Sequence, residues 1–401
     1  MIKVKGAYTS AKVFATNVEA GALAQIEELC NQEFALNSKI RIMPDVHSGK
    51  GCVIGLTMTY DKKIVSNLVG VDIGCGITGV KLQEKELDFE KLESTIKKQI
   101  PAGFNIRKKP HPLAANFETD LMKLKCAKHV GIQRALSSLG TLGGGNHFIE
   151  VGRDSQGYLW LFVHSGSRNI GNQVAQYYQK LAMDQQVERH STYQAKKQAL
   201  IATLKEAGRG KEITAEVKKL QRDCMNPDLA YLEGRAMADY IHDVEIMQNY
   251  AKLNREVMVE EIMKHLNLQA EKMISVHHNY VDVEHKIVRK GAISAQKDEV
   301  VFIPLNMRDG MIIGSGKGHP DWNYSAPHGA GRVLSRSKAM KSLSIDEFKE
   351  TMKDVWSKSV VMKTLDESPM AYKPMNDIID HIDDTVEMID IIKPIYNFKA
   401  T

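Results

Sequence analysis

Hydrophobic and polar positions alternate in two styles along the chain. Residues 20–32 (AGALAQIEELCNQ) place apolar side chains at helical spacing, whereas residues 41–58 (RIMPDVHSGKGCVIGLTM) are two apolar runs joined by a loop rich in glycine and proline. Residues 142–152 and 158–171 repeat the second style, with an apolar run beside a glycine-rich turn that carries a histidine. The pattern predicts a helix followed by several units of strand, loop and strand.

A long helical region interrupts these strands. Residues 172 to about 272 are rich in Ala, Glu, Gln, Lys and Met, and residues 230–266 predict one or two long helices. We expect their Met and Tyr side chains to lie in the core rather than on a binding surface. The strand pattern returns from residue 273, and a long loop at 319–337 leads to helical patterns at about 345–359 and 376–392.

This order of elements predicts a mixed α/β fold, with a strand-rich core and the helical region inserted into one large domain over residues 1–401. The composition is 43% hydrophobic and 26% charged, and the net charge of +5 allows a nucleic-acid partner without requiring one. No apolar run reaches the roughly 18 residues of a membrane span.

The cysteines and the N-terminus indicate the compartment. The five cysteines are scattered and form no C-x-x-C pair: Cys30, Cys52, Cys75, Cys126 and Cys224. This spacing favours neither a disulfide framework nor a zinc knuckle. The N-terminal sequence MIKVKGAYTS has no apolar signal core. We therefore expect a reducing, cytoplasmic location and no membrane partner.

The candidate chemistry is concentrated in short loops beside apolar strands. Asp72 and Cys75 in VDIGCG place a carboxylate and a thiol among small apolar residues, where an unpaired acid is costly unless it binds a cation or caps a turn. Five further loops carry histidine: MPDVHSGKG, GGGNHF, VHSGSR, VHHNY and PHGAGR. A carboxylate, a thiolate and several imidazoles suit a borderline transition metal, so Zn, Fe, Co or Mn are all possible from the ligand types, and a thiolate can bridge two ions.

Basic residues lie beside the same loops. Arg168 in HSGSR, Lys290 in VRKGA and Arg332 in HGAGR are placed to meet an anion. Arginine matches phosphate oxygens bidentately, and successive amide groups of glycine-rich turns form anion sites. A metal beside convergent cations therefore favours phosphate chemistry. The GSGKGHP segment lacks the spacing of a Walker motif, so a P-loop is excluded.

The motifs D-x-x-C, G-N-H-F, H-S-G-S-R, H-H-N and H-G-A-G-R occur in this order, and with them the chain resembles the RtcB-type RNA ligases from near residue 43 to near residue 399. The resemblance implies an RNA ligase that uses GTP and two Mn²⁺ ions to join RNA 3′-phosphate or 2′,3′-cyclic phosphate ends to 5′-hydroxyl ends. It implies a role in tRNA splicing or RNA repair.

The family's metal ligands match five residues here. Asp72, Cys75 and His147 match the ligands of one manganese ion, and Cys75, His164 and His278 match those of the other, so the resemblance implies that Cys75 is the bridge. On this interpretation Asp72 and Cys75 are close in the sequence because Cys75 bridges the two ions and Asp72 is a ligand of one of them.

The resemblance also implies the catalytic and nucleotide-binding residues. His328 matches the histidine that attacks the α-phosphorus of GTP and carries GMP. Arg168 and Arg332 would hold phosphate oxygens, with His277 a further candidate, and Asp45 lies in a loop that matches a family motif. The expected guanosine pocket consists of Asn146, Phe148, Glu150, Asn306, Gly329, Ala330, Gly331, Tyr372 and Lys399.

One loop departs from the family pattern. Family members carry a proline followed by Gly-Ser-Met-Gly and then a serine, whereas this chain has IPLNMRDGM at 303–311. Asn306 and Met311 replace the two serines, and Leu305 and Arg308 replace two glycines. The departure raises a question about GTP use. It favours a divergent bacterial-type branch, specialised for RNA repair rather than routine tRNA splicing.

Two alternatives remain open from the sequence. A metal-dependent cyclic phosphodiesterase or phosphohydrolase would keep the metals without transferring guanylate, and it would open cyclic phosphates without consuming GTP. A silent RNA-binding subunit is disfavoured because all five matched ligands are present. We expect RNA and GTP as partners and a monomeric protein.

Overall fold

Two sheets carry the fold. The computed structural model describes residues 1–219 and 226–401. The six-stranded sheet has the spatial order β1 (Ile2–Lys5), β2 (Ser10–Val13), β3 (Ile40–His47), β4 (Ile54–Thr59), β12 (Ile287–Lys290) and β11 (Asn279–Asp282). The β2–β3 pair is parallel and the other pairs are antiparallel.

The second sheet has seven strands, all in antiparallel pairs. Its order is β10 (Ala270–His277), β6 (Gly76–Leu82), β8 (Leu159–Ser165), β7 (Phe148–Arg153), β17 (Val386–Phe398), β15 (Met311–Gly316) and β14 (Val300–Pro304). Two short ribbons pair β5 (Lys63–Ile64) with β9 (Leu232–Glu233) and β13 (Ala292–Ser294) with β16 (Ser325–Pro327).

Helices cover the sheets. They are α1 Ala20–Cys30, α2 Phe89–Gln99, α3 Ala114–Met122, α4 Ile132–Ser138, α5 Arg168–Glu206, α6 Ile213–Lys219, α7 Gly234–Leu266, α8 Arg336–Ser342, α9 Ile345–Thr351 and α10 Asn376–Ile382. No helix in the described part of the chain combines the length and apolar character that crossing a bilayer demands.

The long helix α7 packs against β6 and β8. Tyr240, Met247, Tyr250 and Met258 are buried, as predicted for the Met and Tyr side chains of this region. Their successive spacings of seven, three and eight residues put them on one face of the helix. β8 is buried along its whole length, which explains why its sequence begins with a continuous apolar run instead of alternating apolar and polar residues.

The predicted mixed α/β class is confirmed, as are the predicted first helix and the strand–loop–strand units. The helical region begins at Arg168 rather than at 172, and its last residues belong to β10. The division of residues 1–401 into one domain stays a prediction. Cys224 lies outside the described residues.

Two predicted helices differ from the structure. The 376–392 pattern is helical only to Ile382, and β17 starts at Val386 because this segment fills the gap between β15 and β7 and hydrogen-bonds to both. Pairing with two neighbours outweighs the local helical pattern. The 345–359 pattern ends at Thr351, after which Trp356 bridges to Tyr396 of β17.

Candidate functional site

Five donor side chains meet where several strands of the large sheet end. Their contacts form one row: the Asp72 Oδ2 lies 3.0 Å from the His147 Nε2, and the Cys75 Sγ lies 3.6 Å from that nitrogen. On its other side the Cys75 Sγ lies 3.3 Å from the His164 Nε2, which lies 3.4 Å from the His278 Nε2. The thiol is thus the middle member of the five predicted metal ligands.

Backbone carbonyls fix the tautomers of two of these histidines. The His147 Nδ1 lies 2.9 Å from the Leu142 carbonyl oxygen, and the His164 Nδ1 lies 3.2 Å from that of Asn146. Because a carbonyl can only accept, each Nδ1 donates its proton to that carbonyl. The Nε2 of neutral His164 then keeps a lone pair directed at Cys75, and the Nε2 of His147 faces both Asp72 and Cys75. A second partner on the other ring nitrogen is how proteins orient histidine ligands to metals.

Burial sets the charges in the row. It lowers the pKa of His164 and of His278 well below the ordinary value, so both imidazoles are neutral at pH 7. Burial, with Asp72 beside it, raises the pKa of the Cys75 thiol well above its ordinary range. Burial also opposes ionisation of Asp72, but the hydrogen bond and charge of His147 outweigh it and the pKa is lowered. Neutral imidazoles, a carboxylate and a thiol are a donor set that a divalent transition metal fits.

The turn that carries Asp72 and Cys75 lies against α7. Gly74 has φ +73°, and a Cβ there would lie 2.8 Å from the Ala251 Cβ and 2.9 Å from the Gln248 Cα, so only glycine fits. The buried Arg255 of α7 donates to the carbonyl oxygens of Gly74 and Ser165, each at 2.9 Å. One guanidinium therefore holds two of the ligand-bearing segments together.

His328 lies at the edge of this row. Its ring centroid is 4.9 Å from that of His278, and its Nδ1 lies 2.6 Å from the Oδ2 of the fully buried Asp45. The same oxygen accepts the backbone N–H of His328 at 3.1 Å. Gly331 has φ +76°, and a Cβ there would collide with the Asp45 carbonyl oxygen. The Asp45 contact leaves the His328 Nε2 as the nitrogen with a free lone pair.

A cavity of about 240 Å³ opens beside His328. Its wall includes all nine residues predicted for the nucleotide pocket, together with Arg332 and His328: Asn146, Phe148, Glu150, Asn306, Gly329, Ala330, Gly331, Tyr372 and Lys399. His164 and His278 line it as well, so it is continuous with the row of donors. His47, from the MPDVHSGKG loop, lines the cavity as well, and the sequence did not point to three further lining residues, Arg336, Glu367 and Asn397.

Glu367 is the polar centre of one cavity wall. Its Oε2 accepts from the Tyr372 hydroxyl at 2.7 Å and from the Lys399 Nζ at 3.1 Å. Its Oε1 lies 3.2 Å from an Arg332 nitrogen and 2.5 Å from an Arg336 nitrogen. Burial opposes ionisation, but the charges of Lys399 and Arg336 lower the pKa of Glu367 to about 2. Arg336 also pairs with Asp366 at 2.6 Å, so three cations meet two acids, and the remaining positive charge suits the wall to an anionic ligand.

Glu150 and Asn397 form a second buried pair in the wall. They are opposite each other in the β7–β17 pairing, and the Asn397 Nδ2 donates to the Glu150 Oε2 at 2.8 Å. Burial raises the pKa of Glu150 to about 8. This carboxyl group is therefore mainly protonated at pH 7 before a ligand enters.

The divergent loop at 303–311 closes on itself. The Asn306 Oδ1 accepts the backbone N–H groups of Arg308 at 3.0 Å and Asp309 at 2.9 Å, while its Nδ2 donates to the Asp309 Oδ2 at 2.7 Å. Leu305 and Met307 are buried. Asn306 lines the cavity, but its side chain is engaged within the loop.

Arg168 lines a different cavity, of about 570 Å³. Its Nε donates to the Thr141 Oγ1 at 2.9 Å and its Nη2 to the Gly103 carbonyl oxygen at 3.0 Å. A Cβ on Gly143 would collide with the Arg168 guanidinium and lie 2.8 Å from the His147 Nδ1. The Gly143–His147 segment is therefore a thin wall between Arg168 and the donor row.

Two predicted phosphate-binding candidates do not line either cavity. The His277 Nδ1 lies 3.0 Å from the Gly74 carbonyl oxygen, and burial lowers the pKa of this histidine to about 3. The Lys290 Nζ donates to the carbonyl oxygens of Lys50 at 2.5 Å and Cys52 at 2.9 Å. Both side chains support loops of the site from behind.

Comparisons with known proteins identify the family of the chain. The profile of the family described as tRNA-splicing ligase RtcB matches two overlapping segments, residues 25–129 and 110–400. RNA-splicing ligase RtcB of Escherichia coli K12 is 30% identical over 424 residues, covering 96% of this chain and 95% of that protein. RNA-splicing ligase RtcB1 of Escherichia coli ATCC 25922 has the same identity and coverage.

Proposed function

The chain belongs to the RtcB ligase family, and on this basis we propose that it is an RNA ligase. The reaction we propose joins an RNA 3′-phosphate or 2′,3′-cyclic phosphate end to a 5′-hydroxyl end with GTP as co-substrate. The names of the two relatives concern RNA splicing, whereas the divergent 303–311 loop leads us to propose RNA repair for this chain. We further propose that it acts in the cytoplasm as a monomer.

One observation carries the proposal. His328, with a free Nε2, stands between a row of five metal-ligand side chains and a cationic cavity large enough for part of a nucleotide. A neutral imidazole is a competent nucleophile toward phosphorus when its other nitrogen is hydrogen-bonded to a carboxylate.

The donor row fits two manganese ions. Asp72, Cys75 and His147 would hold one, Cys75, His164 and His278 the other, and Cys75 would be shared, in keeping with its central place in the row. When bound, the ions supply Lewis-acid neutralisation of phosphate charge. Arg255, which is fully buried, adds a positive charge that favours the Cys75 thiolate.

In the first step the His328 Nε2 forms a bond to the α-phosphorus of GTP while the bond to the pyrophosphate group breaks. Asp45 keeps the Nδ1 proton in place and balances the positive charge that develops on the ring. Arg332, Arg336 and Lys399 would bind phosphate oxygens, and the Glu150 carboxylate would face the donor edge of guanine.

In the following steps the RNA 3′-phosphate takes GMP from His328, which regains its free nitrogen. A cyclic phosphate end is first opened by water, which bonds to phosphorus while the bond to the 2′-oxygen breaks and a 3′-phosphate with a free 2′-hydroxyl remains. The 5′-hydroxyl of the second strand then attacks the activated 3′-phosphorus, and GMP leaves. We propose that Arg168 holds phosphate oxygens of the RNA from its separate cavity.

A single assay distinguishes this ligase from the alternative phosphodiesterase. The purified protein is given an RNA that ends in a 2′,3′-cyclic phosphate and a 5′-hydroxyl RNA with Mn²⁺, and the reaction is run with GTP, with ATP or without nucleotide. A joined product that requires GTP supports the ligase. Opening of the cyclic phosphate end without any joined product under all three conditions would favour the phosphodiesterase. The observation that favours this alternative is the closed Asn306 loop, whose polar side chain is engaged within the loop.

A further inference from the structure

Phe104 is an aromatic side chain held out into solvent on a fixed backbone. It is 97% exposed, more than any other large apolar residue in the described part of the chain. The turn that carries it is pinned at both sides, because the Gly103 N–H donates to the Gly143 carbonyl oxygen at 2.8 Å and the Asn105 N–H to that of Ala102 at 3.3 Å. The exposure therefore belongs to an ordered turn.

The exposure of Phe104 alone would not indicate a binding site, since single apolar residues are common on protein surfaces. What distinguishes Phe104 is the cavity it borders, the 570 Å³ cavity of Arg168. Arg134 and Arg168 are the charged residues of its lining, which holds no Asp or Glu among the described residues. Arg134 is exposed and has no acidic partner in residues 1–219 and 226–401. Asp72 attracts Arg168 from the other side of the thin wall, but no acid within the lining faces the two guanidinium groups, and this arrangement favours an anionic ligand.

This cavity is separated from the donor row by a few backbone atoms. Gly143 lies between the Arg168 guanidinium and His147, and a Cβ on Gly145 would lie 3.4 Å from Arg336, which lines the nucleotide cavity. A phosphate held by Arg168 is thus close to the reacting centre. Because Phe104 borders the same cavity, a nucleoside attached to that phosphate would lie near the Phe104 ring.

We propose that Phe104 is a stacking platform for the terminal nucleobase of an RNA strand whose phosphate is bound by Arg134 and Arg168. The inference rests on the proposed function for the identity of the strand as RNA. Every base offers a π face, so the platform would hold any terminal base, as a repair enzyme acting on diverse breaks requires. Its role is to position the strand, and no covalent step is assigned to it.

Binding is measured with short RNAs that carry fluorescent 2-aminopurine as the terminal base, beside a 3′-phosphate in one arm and a 5′-hydroxyl in the other. Wild-type protein should quench one of the two, which identifies the strand. Phe104→Ala should abolish that quenching and weaken binding between roughly fivefold and 150-fold, whereas Phe104→Trp should restore both. Tyr8→Leu, at a 42% exposed aromatic on the N-terminal hairpin, is the matched control and should change neither.

A second pair of RNAs separates stacking from a general loss of structure. An RNA with an abasic terminal nucleotide should bind wild type and Phe104→Ala equally. Equal quenching by wild type and Phe104→Ala would overturn the proposal. So would a Phe104→Ala protein that loses as much affinity for the abasic RNA as for the RNA with a terminal base.

The first chemical step separates the inference from the proposed function. Protein guanylylation involves no RNA, and Phe104→Ala should leave its rate unchanged. If wild type shows neither guanylylation nor ligation, yet quenches 2-aminopurine in a Phe104-dependent way, the ligase proposal fails and the stacking platform stands. Reduced guanylylation in Phe104→Ala would contradict the inference alone.

Discussion

Asp45 Oδ2 accepts two hydrogen bonds from His328, one from the backbone N–H at 3.1 Å and one from Nδ1 at 2.6 Å. The acid is fully buried and its other oxygen has no partner among the described residues. Backbone and ring of the same histidine are therefore fixed by one atom. This contact decides which ring nitrogen of His328 is free to attack.

Asp45→Asn should slow guanylylation of the protein by roughly 100-fold or more, because a neutral amide no longer balances the charge that develops on the imidazole. If the Asn amide is flipped, its NH₂ group faces the His328 Nδ1 and favours the tautomer that carries its proton on Nε2. The rate of label transfer from α-labelled GTP is the measurement. Metal content should match wild type, and an unchanged rate would remove Asp45 from the mechanism.

Cys75→Ser should lose both metal ions, because the Cys75 Sγ contacts a histidine on each side of the row. His278→Ala should lose only the ion on its own side, since His278 is at the end of the row. Metal per chain is measured by mass spectrometry after dialysis. Cys30→Ala, at a buried cysteine outside the site, is the control. A Cys75→Ser protein that retains both ions would refute the shared thiolate.

GTP affinity should rise with pH up to about 8 and then level off. The pKa of Glu150 is raised to about 8, so below that pH the carboxyl group must lose a proton before it can accept from guanine. Between pH 7 and 8 the ionised fraction of Glu150 grows from about a tenth to a half, so the gain in affinity should be roughly fivefold. Binding is measured in His328→Ala protein with saturating Mn²⁺, which prevents turnover. Glu150→Gln should bind more weakly and lack this rise, and an equal rise in both proteins would assign it to another group.

Glu367→Gln should lower the free energy of unfolding by about 3 kcal/mol, because it leaves three cations around a neutral buried group. The folded pKa of Glu367, about 2, is below its ordinary value of 4.5. Its contribution to stability is therefore present above pH 4.5 and disappears as the pH falls toward 2.

The difference between wild type and Glu367→Gln, followed by denaturant unfolding, should be constant near neutral pH and shrink over that acidic window. Asp383→Asn is the control, because Asp383 pairs with Lys317 on the surface with its side chain 95% exposed, and we expect no measurable change. A pH-independent difference would mean that the charge of Glu367 is not what stabilises the wall.

The sequence located the donors of the row because each lies in or beside a short loop of unusual composition at the end of an apolar strand. Asp72, Cys75, His147, His164 and His278 are far apart in the chain, and the strand ends bring them to one place. Which of them occupies the middle came from the resemblance rather than from spacing. The structure then supplied the order of contacts.

Other parts of the site depend on pairings that no local pattern carries. Asn397 meets Glu150 only because β17 pairs with β7 in that register, and part of β17 was predicted as helix. Glu367 lies in a short 3₁₀ segment, and only the folded chain gathers Arg332, Arg336 and Lys399 around it. His277 and Lys290 carry suitable chemistry in suitable loops, yet their side chains point to backbone carbonyls.

Guanylylation of His328 is tested most directly by incubating the metal-loaded protein with α-labelled GTP and Mn²⁺ and measuring label on the denatured chain. We predict label that is labile to acid, stable to alkali and absent from His328→Ala. No label on wild-type protein confirmed to hold its metals, or equal label on His328→Ala, would contradict the histidine as the carrier of GMP.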